Sequence, residues 1–243
     1  GINIVRTPIC GRNFEYYSED PCLNSKLVVP VIKGIQAQGT AACVKHFALN
    51  NQELNRQKVD AQVDERALRE IYLPAFEAAV REAGVLTVMG AYNRFRGQYC
   101  CHNDYLLNHI LKHEWGFKGP VISDWGATHD TLAAIRNGLD IEMGTSASYE
   151  EYYLAKPFDD TISNGIIDEE YATEKARRVL FAMNGCGIFD PKRPKGSRNT
   201  QEHQTTAREI AEEAIVLLKN TNKLLPIKAE TVKNILVVGE NAV

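Results

Sequence analysis

Three short apolar runs of this sequence each end in side chains that could do chemistry. The first ends in Lys45 and His46, the second in Tyr92, and the third in Asp124 and Trp125. Each of these residues alone has a simpler explanation, because a strand-end Asp often caps the next helix and a Lys is often merely solvated. That explanation is less convincing when all the run ends meet on one face of a fold, because this face then carries an ammonium, an imidazole, a phenol, a carboxylate and an indole. Such a set suits a neutral ligand with many hydroxyl groups.

Asp124 is the candidate reactive group of this set. A carboxylate beside Arg and Lys stays ionised, as a nucleophile or a stabiliser of positive charge must. Trp125 and Tyr92 could stack on the apolar face of a sugar ring while the charged groups bind its hydroxyls. The loop over residues 11–15 adds the guanidinium of Arg12. The sequence therefore indicates a carbohydrate site.

These side chains need a scaffold that brings the ends of the runs together. Short β-branched runs alternate with amphipathic helical stretches, which is typical of parallel βα units. In such folds the active site lies at the carboxyl ends of the strands. The predicted strands are residues 2–6, 42–46, 86–92, 120–124 and 139–142.

Three helices are predicted between these strands. Each begins at an aspartate that can cap it and ends at or near a glycine. The three helices run from Asp64 to Gly84, from Asp104 to Gly116 and from Asp168 to Gly185. Pro74 predicts a kink in the first helix. The third is expected to present one face made of Ala172, Ala176, Val179, Leu180 and Met183.

The chain is predicted to hold one catalytic portion and the start of another domain. Residues 190–199 carry two prolines, four basic residues and no apolar residue, which is typical of a linker. We therefore predict a catalytic portion over 1–189, a linker over 190–204 and the beginning of a second α/β domain over 205–243. In the last part we expect a helix at about 205–219 and a buried strand at 234–239.

The predicted fold class is α/β, a TIM-like (β/α)8 barrel whose N-terminal strands are missing from this chain. The five predicted strands are too few to close such a barrel, but their spacing is barrel-like. A doubly wound open sheet is the competing arrangement. The chain starts at Gly1 rather than Met and its ends look cut, so it is interpreted as a fragment.

Composition excludes several functional classes. The chain has 243 residues, of which 44% are hydrophobic and 24% charged, as in an ordinary globular protein. Its 28 basic and 31 acidic residues give a net charge of −3 without a basic run, so we expect no nucleic-acid partner. No apolar run reaches the roughly 18 residues of a membrane helix, so no membrane partner is expected either.

No metal or other cofactor is expected. His109 and His113 are four residues apart, but the Glu that a zinc-protease motif places beside the first His is missing. The six cysteines lack CxxC spacing and are predicted to be mostly buried, free thiols.

Several motifs carry a resemblance to a known family. In chain order they are Gly11-Arg-Asn-Phe-Glu-Tyr-Tyr-Ser-Glu-Asp-Pro21, Lys45-His-Phe-Ala-Leu-Asn-Asn-Gln-Glu-Leu-Asn-Arg56, the stretch 64–74, Gly90-Ala-Tyr-Asn93, Val121-Ile-Ser-Asp-Trp-Gly126 and Ala214-Ile-Val-Leu-Leu-Lys-Asn220. This set resembles family 3 glycoside hydrolases, closest to their β-glucosidases. The resemblance runs along the whole chain and implies a (β/α)8-type barrel followed by an α/β sandwich, with the active site between them. It also implies a retaining mechanism with two carboxyl groups.

The resemblance assigns roles to individual residues. Asp124 matches the nucleophile that forms a covalent glycosyl-enzyme. Substrate-binding positions of the family are matched by Arg12, Lys45, His46, Arg56, Met89, Tyr92 and Trp125. The general acid/base of the family is usually a Glu of the second domain, so it is expected outside this chain.

The implied activity is hydrolysis of terminal β-D-glucosyl residues from oligosaccharides or glucosides. β-Xylosidase activity is an alternative, because glucose and xylose differ only by a hydroxymethyl group. A minor alternative concerns the general acid, which would then be Glu142 or Glu53 of this chain. The N-acetylglucosaminidases of the family are disfavoured, since the segment 45–50 lacks their Pro, Gly and second His. A sugar-binding protein that has lost the chemistry is the alternative from another class.

The expected partner is a small-molecule or oligosaccharide substrate. The chain is expected to need the missing barrel strands and the second domain, and a homo-oligomer is left open. The resemblance is compatible with a periplasmic or secreted location, and a cytoplasmic one is left open.

Overall fold

The computed structural model describes residues 1–145, 148–193 and 195–242. The chain forms two compact units, Gly1–Arg193 and Pro194–Val243. The strands of the first unit are β1 (Cys43–Phe47), β2 (Asp60–Ala61), β3 (Thr87–Gly90), β4 (Arg94–Phe95), β5 (Gln98–Tyr99) and β6 (Val121–Ile122). Its helices are α1 (Pro21–Gln36), α2 (Glu65–Ala67), α3 (Pro74–Arg81), α4 (Thr131–Arg136), α5 (Lys156–Ser163), α6 (Glu170–Gly185) and two π-helices, Leu68–Tyr72 and Tyr105–Glu114.

The main sheet is parallel, with strand order β1-β3-β6. Ile141 extends it by a single parallel bridge to Ile122 on one side. On the other side the main-chain N–H of Ile2 donates to the carbonyl of Lys45 at 2.7 Å. Five segments therefore lie side by side in chain order, and the sequence-based prediction of an α/β fold is confirmed. A smaller sheet has the order β2-β4-β5, and its strands come from the chain before and after β3.

The two outer predicted strands, 2–6 and 139–142, are wrong as strands. Near the N-terminus the chain turns away from β1, since the N–H of Val5 donates to the carbonyl of Ser18. Near the other edge, the Asp140 carboxylate accepts a hydrogen bond from the N–H of Val121 at 2.8 Å. A side chain therefore replaces a main-chain hydrogen bond between the strands. The three inner strands form but are shorter or shifted at their ends relative to prediction.

The helix starts are set by local capping. The Asp64 carboxylate accepts the N–H of Ala67 at 2.8 Å, and the helix is interrupted before Pro74, both as predicted. At the second helix the prediction is wrong, because Asn103 and not Asp104 caps it, accepting the N–H of Leu106 at 2.9 Å. Asp104 already has helical backbone angles.

Helix α6 buries a face that overlaps the predicted one only in part. Ala172, Val179 and Met183 are half-buried, but Ala176 and Leu180 are exposed, and the buried residues are Lys175 and Ala182. The Lys175 ammonium reaches main-chain carbonyls near the end of α4, which an apolar side chain could not satisfy. Periodicity alone therefore placed the apolar face only approximately and missed the buried lysine.

The core of the first unit lies between the sheet and the helices α1, α3 and Tyr105–Glu114. Phe47, in β1, packs edge-to-face against Phe76 at 5.1 Å and against Trp115 at 5.8 Å between ring centroids. Burying a side chain of this size contributes about 1.5–3 kcal/mol. Because Phe47 directly follows Lys45 and His46, this packing also fixes the strand that carries them.

Helix α1 has two apolar faces. Val28 and Ile32 are buried on one face. On the other face a stripe at four-residue spacing is exposed, and it consists of Leu23, Leu27, Val31 and Ile35. A helix that is apolar on two sides is typical of one packed between layers.

The second unit contains helix α7 (Gln201–Glu213). The predicted helix end at 219 and the predicted strand at 234–239 are wrong. Residues 235–238 are exposed, and no β-partner pairs with them within the described residues. A strand forms only where another strand takes up its main-chain hydrogen bonds, which the local sequence cannot guarantee.

Two further predictions concern the chain as a whole. All six cysteines are free, as predicted, and four of them are buried. Within the described ranges no helix has both the length and the apolar character needed to cross a bilayer.

Candidate active site

The predicted site residues lie at the carboxyl ends of β1, β3 and β6. Lys45 and His46 belong to β1, Tyr92 follows β3 by two residues, and Asp124 follows β6 by two residues. His46 and Asp124 are buried, whereas the Trp125 side chain is 45% exposed. Parallel strands present these ends at one edge, so the side chains converge.

Asp124 has one carboxylate oxygen engaged and one open. Its Oδ1 accepts the N–H of Trp125 at 2.9 Å, while no described residue forms a hydrogen bond to the buried Oδ2. His46 Nε2 is the nearby polar group, at 3.4 Å from Oδ2. Gly126 then adopts a left-handed φ of 69°, which turns the chain directly after Trp125. The site thus holds a carboxylate oxygen whose acceptor capacity is unused.

His46 is a neutral imidazole held on both sides of its main chain. Burial, together with the nearby charges of Arg12 and Lys45, lowers the pKa of His46 to about 3. The Asn3 side chain accepts the His46 N–H at 2.7 Å and donates to the His46 carbonyl at 3.0 Å. The hydroxyl of Tyr16 lies 3.5 Å from Nδ1 of the ring. These contacts fix where the imidazole points.

Glu15 joins the two cations of the site. Its Oε2 lies 3.0 Å from Lys45 Nζ, and its Oε1 is bonded to Arg12 Nε. Burial opposes ionisation of Glu15, but the hydrogen bonds from Lys45 and Arg12 outweigh it and hold its pKa below the usual value. The same pairing outweighs burial at Arg12 and raises the pKa of its guanidinium. Lys45 and Arg12 are therefore anchored as a pair.

Aromatic side chains close the other side of Asp124. The Tyr92 hydroxyl donates to the Trp125 carbonyl at 3.1 Å. Burial, together with the charge of Asp124, raises the pKa of Tyr92 to about 12, so the phenol keeps its proton. The guanidinium of Arg56 lies 4.5 Å from the Tyr92 ring centroid and pairs with Glu53 at 2.7 Å. Cation–π contact and ion pair together hold Arg56 beside the site.

Seven of the eight predicted residues are linked by these contacts. The contacts run through Arg12, Lys45, His46, Asp124, Trp125, Tyr92 and Arg56. Met89 shares the sheet through its pairing with Ile122 and is half-buried.

Sequence reasoning gave no role to Asn3, Glu15 or Tyr16. Glu15 and Tyr16 follow Arg12 within one motif, and a carboxylate beside an arginine was the signal that could have found Glu15. Asn3 lies 43 residues from His46 in the chain, and no local pattern marks that contact.

Glu142 has a different task from the site carboxylates. Its Oε2 accepts the N–H of Leu154 at 2.7 Å, and burial raises its pKa. It lines a cavity of about 440 Å³ with Met143, Tyr152 and Leu154. The contact anchors a loop, and Glu142 as the acid stays an alternative prediction.

The histidine pair of the Tyr105–Glu114 helix forms side-chain contacts of its own. His109 stacks on Tyr105 and lies 3.2 Å from Glu114, while His113 stacks on His109. Over the described ranges no group of three or more His, Cys, Asp or Glu is placed to hold a metal ion.

Comparison with known proteins decides the family. Residues 2–182 match the family described as Glycosyl hydrolase family 3 N terminal domain. The chain belongs to glycosyl hydrolase family 3. The resemblance drawn from the motifs is thereby confirmed.

Relatives within family 3 match the chain from end to end. It is 52% identical to the beta-glucosidase BoGH3A of Bacteroides ovatus, covering 100% of this chain and 34% of that protein. It is 45% identical to the thermostable beta-glucosidase B of Acetivibrio thermocellus, covering 94% of this chain and 29% of that protein. The chain thus spans about a third of the length of the curated relatives it matches.

The fold of a solved family 3 protein is also similar. The crystal structure of DesR, a beta-glucosidase from Streptomyces venezuelae in complex with D-glucose, superposes with a TM-score of 0.84 at 40% identity. The match covers 93% of this chain and 30% of that chain.

Proposed function

We propose that this chain carries the nucleophile side of a retaining, exo-acting β-glucosidase. The observation that carries the proposal is the buried Asp124 Oδ2, which has no hydrogen-bond partner among the described residues and lies 3.4 Å from His46 Nε2. A buried carboxylate oxygen left open is costly unless a ligand completes it. The family 3 relatives named beta-glucosidase support the same reaction.

The proposed chemistry begins with attack of Asp124 on the anomeric carbon of the sugar. This step forms a covalent glycosyl–Asp124 ester and expels the aglycone, which takes its proton from a second carboxyl group. Water then hydrolyses the ester, with that second group acting as base. The second group is expected to be a Glu outside this chain, about 5–5.5 Å from Asp124 as retention requires.

The remaining site residues would hold the sugar during both steps. Lys45, His46 and Arg12 offer donors to its hydroxyls. The exposed Trp125 ring and the Met89 side chain would contact the apolar face of the sugar, and Tyr92 would keep Trp125 in place through the hydrogen bond to its carbonyl. Arg56 would complete the same pocket from its position over Tyr92.

A (β/α)8 barrel is the scaffold we propose for this site. The segments of the sheet follow chain order without the reversal that a doubly wound sheet contains. The exposed stripe of α1 is the surface against which further barrel elements would pack. We assign residues 1–189 to the barrel, 190–204 to a linker and 205–243 to the start of an α/β sandwich.

A pentopyranosidase is the second candidate. An exo-alpha-(1->6)-L-arabinopyranosidase of Bifidobacterium longum is 39% identical over 100% of this chain. L-Arabinopyranose and xylose both lack the hydroxymethyl group of glucose. Comparing kcat/KM for aryl β-D-glucoside, β-D-xyloside and α-L-arabinopyranoside with the full-length protein separates these candidates.

A mechanism-based label tests the proposed nucleophile. The full-length protein is treated with a 2-deoxy-2-fluoro-β-D-glucoside that bears a good leaving group, and its peptides are mapped by mass. We expect one added sugar on the peptide that contains Asp124, and none in Asp124→Asn. The control Asp130→Asn, which changes an exposed helix cap, should label like the wild type. A label elsewhere, or sugar binding without label or turnover, overturns the assignment.

A further inference from the structure

The imidazole of His46 has a different neighbour at each ring nitrogen. Nε2 faces the Asp124 carboxylate at 3.4 Å, and Nδ1 faces the Tyr16 hydroxyl at 3.5 Å. A neutral imidazole carries one N–H and one lone pair, so the two neighbours decide which nitrogen is protonated. Both His46 and Tyr16 are buried, so water does not compete for these positions.

The carboxylate and the phenol make opposite demands on the ring. Asp124 Oδ2 is an acceptor only, and a lone pair on Nε2 facing it would be repelled. The Tyr16 hydroxyl can donate to a lone pair on Nδ1. Burial raises the pKa of Tyr16, so its donor proton is retained. Both contacts therefore favour the proton on Nε2.

We propose that Tyr16 is a positioning residue that fixes His46 as the neutral Nε2–H tautomer, with its N–H directed at Asp124 and at the hydroxyl a sugar places there. The inference rests on the proposed function for its catalytic consequence. Nε2 and Oδ2 lie 3.4 Å apart, and a bound hydroxyl can approach both groups. Asn3 supports this arrangement by fixing the main chain of His46.

The matched variants are Tyr16→Phe and Tyr17→Phe in the full-length protein. The first removes the hydroxyl beside Nδ1 and keeps the ring that packs in the core. The second makes the same change on the next residue, whose side chain is exposed. We expect Tyr16→Phe to lower kcat/KM by about five- to tenfold, the effect of losing one neutral hydrogen bond. The loss should fall mainly on kcat, because contacts to sugar hydroxyls strengthen in the transition state. Tyr17→Phe should match the wild type.

Nitrogen NMR of ¹⁵N-histidine-labelled protein reads the tautomer directly. The His46 signals are assigned by their absence from His46→Asn. We expect the wild type to show a proton on Nε2 and none on Nδ1, and Tyr16→Phe to show a mixture of tautomers. A thermal melt confirms that each variant is folded. This measurement does not depend on enzymatic activity. The wild-type spectrum by itself shows which ring nitrogen of His46 carries the proton.

The outcomes separate this inference from the proposed function. A wild-type proton on Nδ1, an unchanged tautomer in Tyr16→Phe, or an equal loss of kcat/KM in Tyr17→Phe overturns the role of Tyr16. The expected spectra in a protein without glycosidase activity would support the positioning role and overturn the proposed function.

Discussion

Two buried charged groups of this protein differ in how completely they are paired. In the candidate active site Asp124 Oδ2 has no hydrogen-bond partner among the described residues. The other group, which we call the lysine cluster, consists of Lys112, Asp140, Lys175 and Arg178. There Lys112 donates to the Gly138 carbonyl at 2.6 Å and to Asp140 at 2.9 Å, and Lys175 donates to carbonyls at the end of α4 and just after it.

The difference shows how a site can be told from a structural cluster. Both groups bury charge, and the pKa of both Lys112 and Lys175 is lowered to about 8 by burial. In the lysine cluster the donors end on main-chain carbonyls, so the charges hold elements together. At Asp124 one buried carboxylate oxygen is left without a hydrogen-bond partner among the described residues. A shifted pKa, as at these two lysines, therefore does not mark a functional site by itself, and it is the unused hydrogen-bonding capacity that separates Asp124 from the lysine cluster.

Replacing the carboxylate of Asp124 should change activity more than any other substitution considered. We expect Asp124→Asn to lower kcat by at least about 10³-fold, because an amide cannot form the glycosyl ester. Shape is preserved, so the melting temperature should stay within a few degrees of wild type. Steady-state kinetics and a thermal melt check both statements. An unfolded Asn variant would instead make Asp124 a structural residue.

Breaking the closed cluster should change stability and leave chemistry intact. Lys175→Met leaves the carbonyls near α4 unpaired and is expected to lower the free energy of unfolding by about 2–3 kcal/mol. Urea titration measures this loss, and kcat per folded molecule should be unchanged. Lys26→Met, on the exposed part of α1, is the control and should cost less than about 0.5 kcal/mol. A loss of kcat at full stability would contradict the distinction between the two groups.

Weakening the anchor of the two site cations should have an intermediate effect. Glu15→Gln removes the charge that pairs with Lys45 and Arg12. We expect KM to rise about tenfold, or about 1.4 kcal/mol, because the cations must then be ordered by the sugar itself. Glu19→Gln, an exposed change in the same motif, is the matched control. Equal KM values for the two variants would remove Glu15 from the site.

The pH dependence of stability should give the smallest effect. In the fold both lysines of the cluster have a pKa of about 8, against 10.5 for a lysine in the unfolded chain. Between these values the unfolded chain binds more protons, so the free energy of unfolding should rise with pH from about 8 to 10.5. Lys175→Met should flatten this rise. Urea titrations at several pH values provide the test, and a fall over this range in the wild type would contradict it.

The strand-end rule recovered most of the site from sequence. Asp124, His46 and Tyr92 each follow or end a parallel strand, and that topology places them together whatever the exact strand bounds. The rule failed for Asn3 and Glu15, because their contacts cross from a loop to β1 and depend on tertiary packing. The cap at Asn103 was also missed. Asn and Asp cap helices equally well, and only the backbone angles of the folded chain show which of two neighbouring positions is the cap.

The hydrogen bonds between the Asn3 side chain and the main chain of His46 make the first residues of this chain part of the candidate site. Gly1 packs so closely on the Tyr16 ring that a β-carbon there would come within 2.7 Å of it. Replacing Asn3 would therefore release the main chain of His46, and a side chain at position 1 would displace the phenol neighbour of the imidazole. Such variants would keep every side chain proposed to contact sugar, yet they would hold the imidazole loosely.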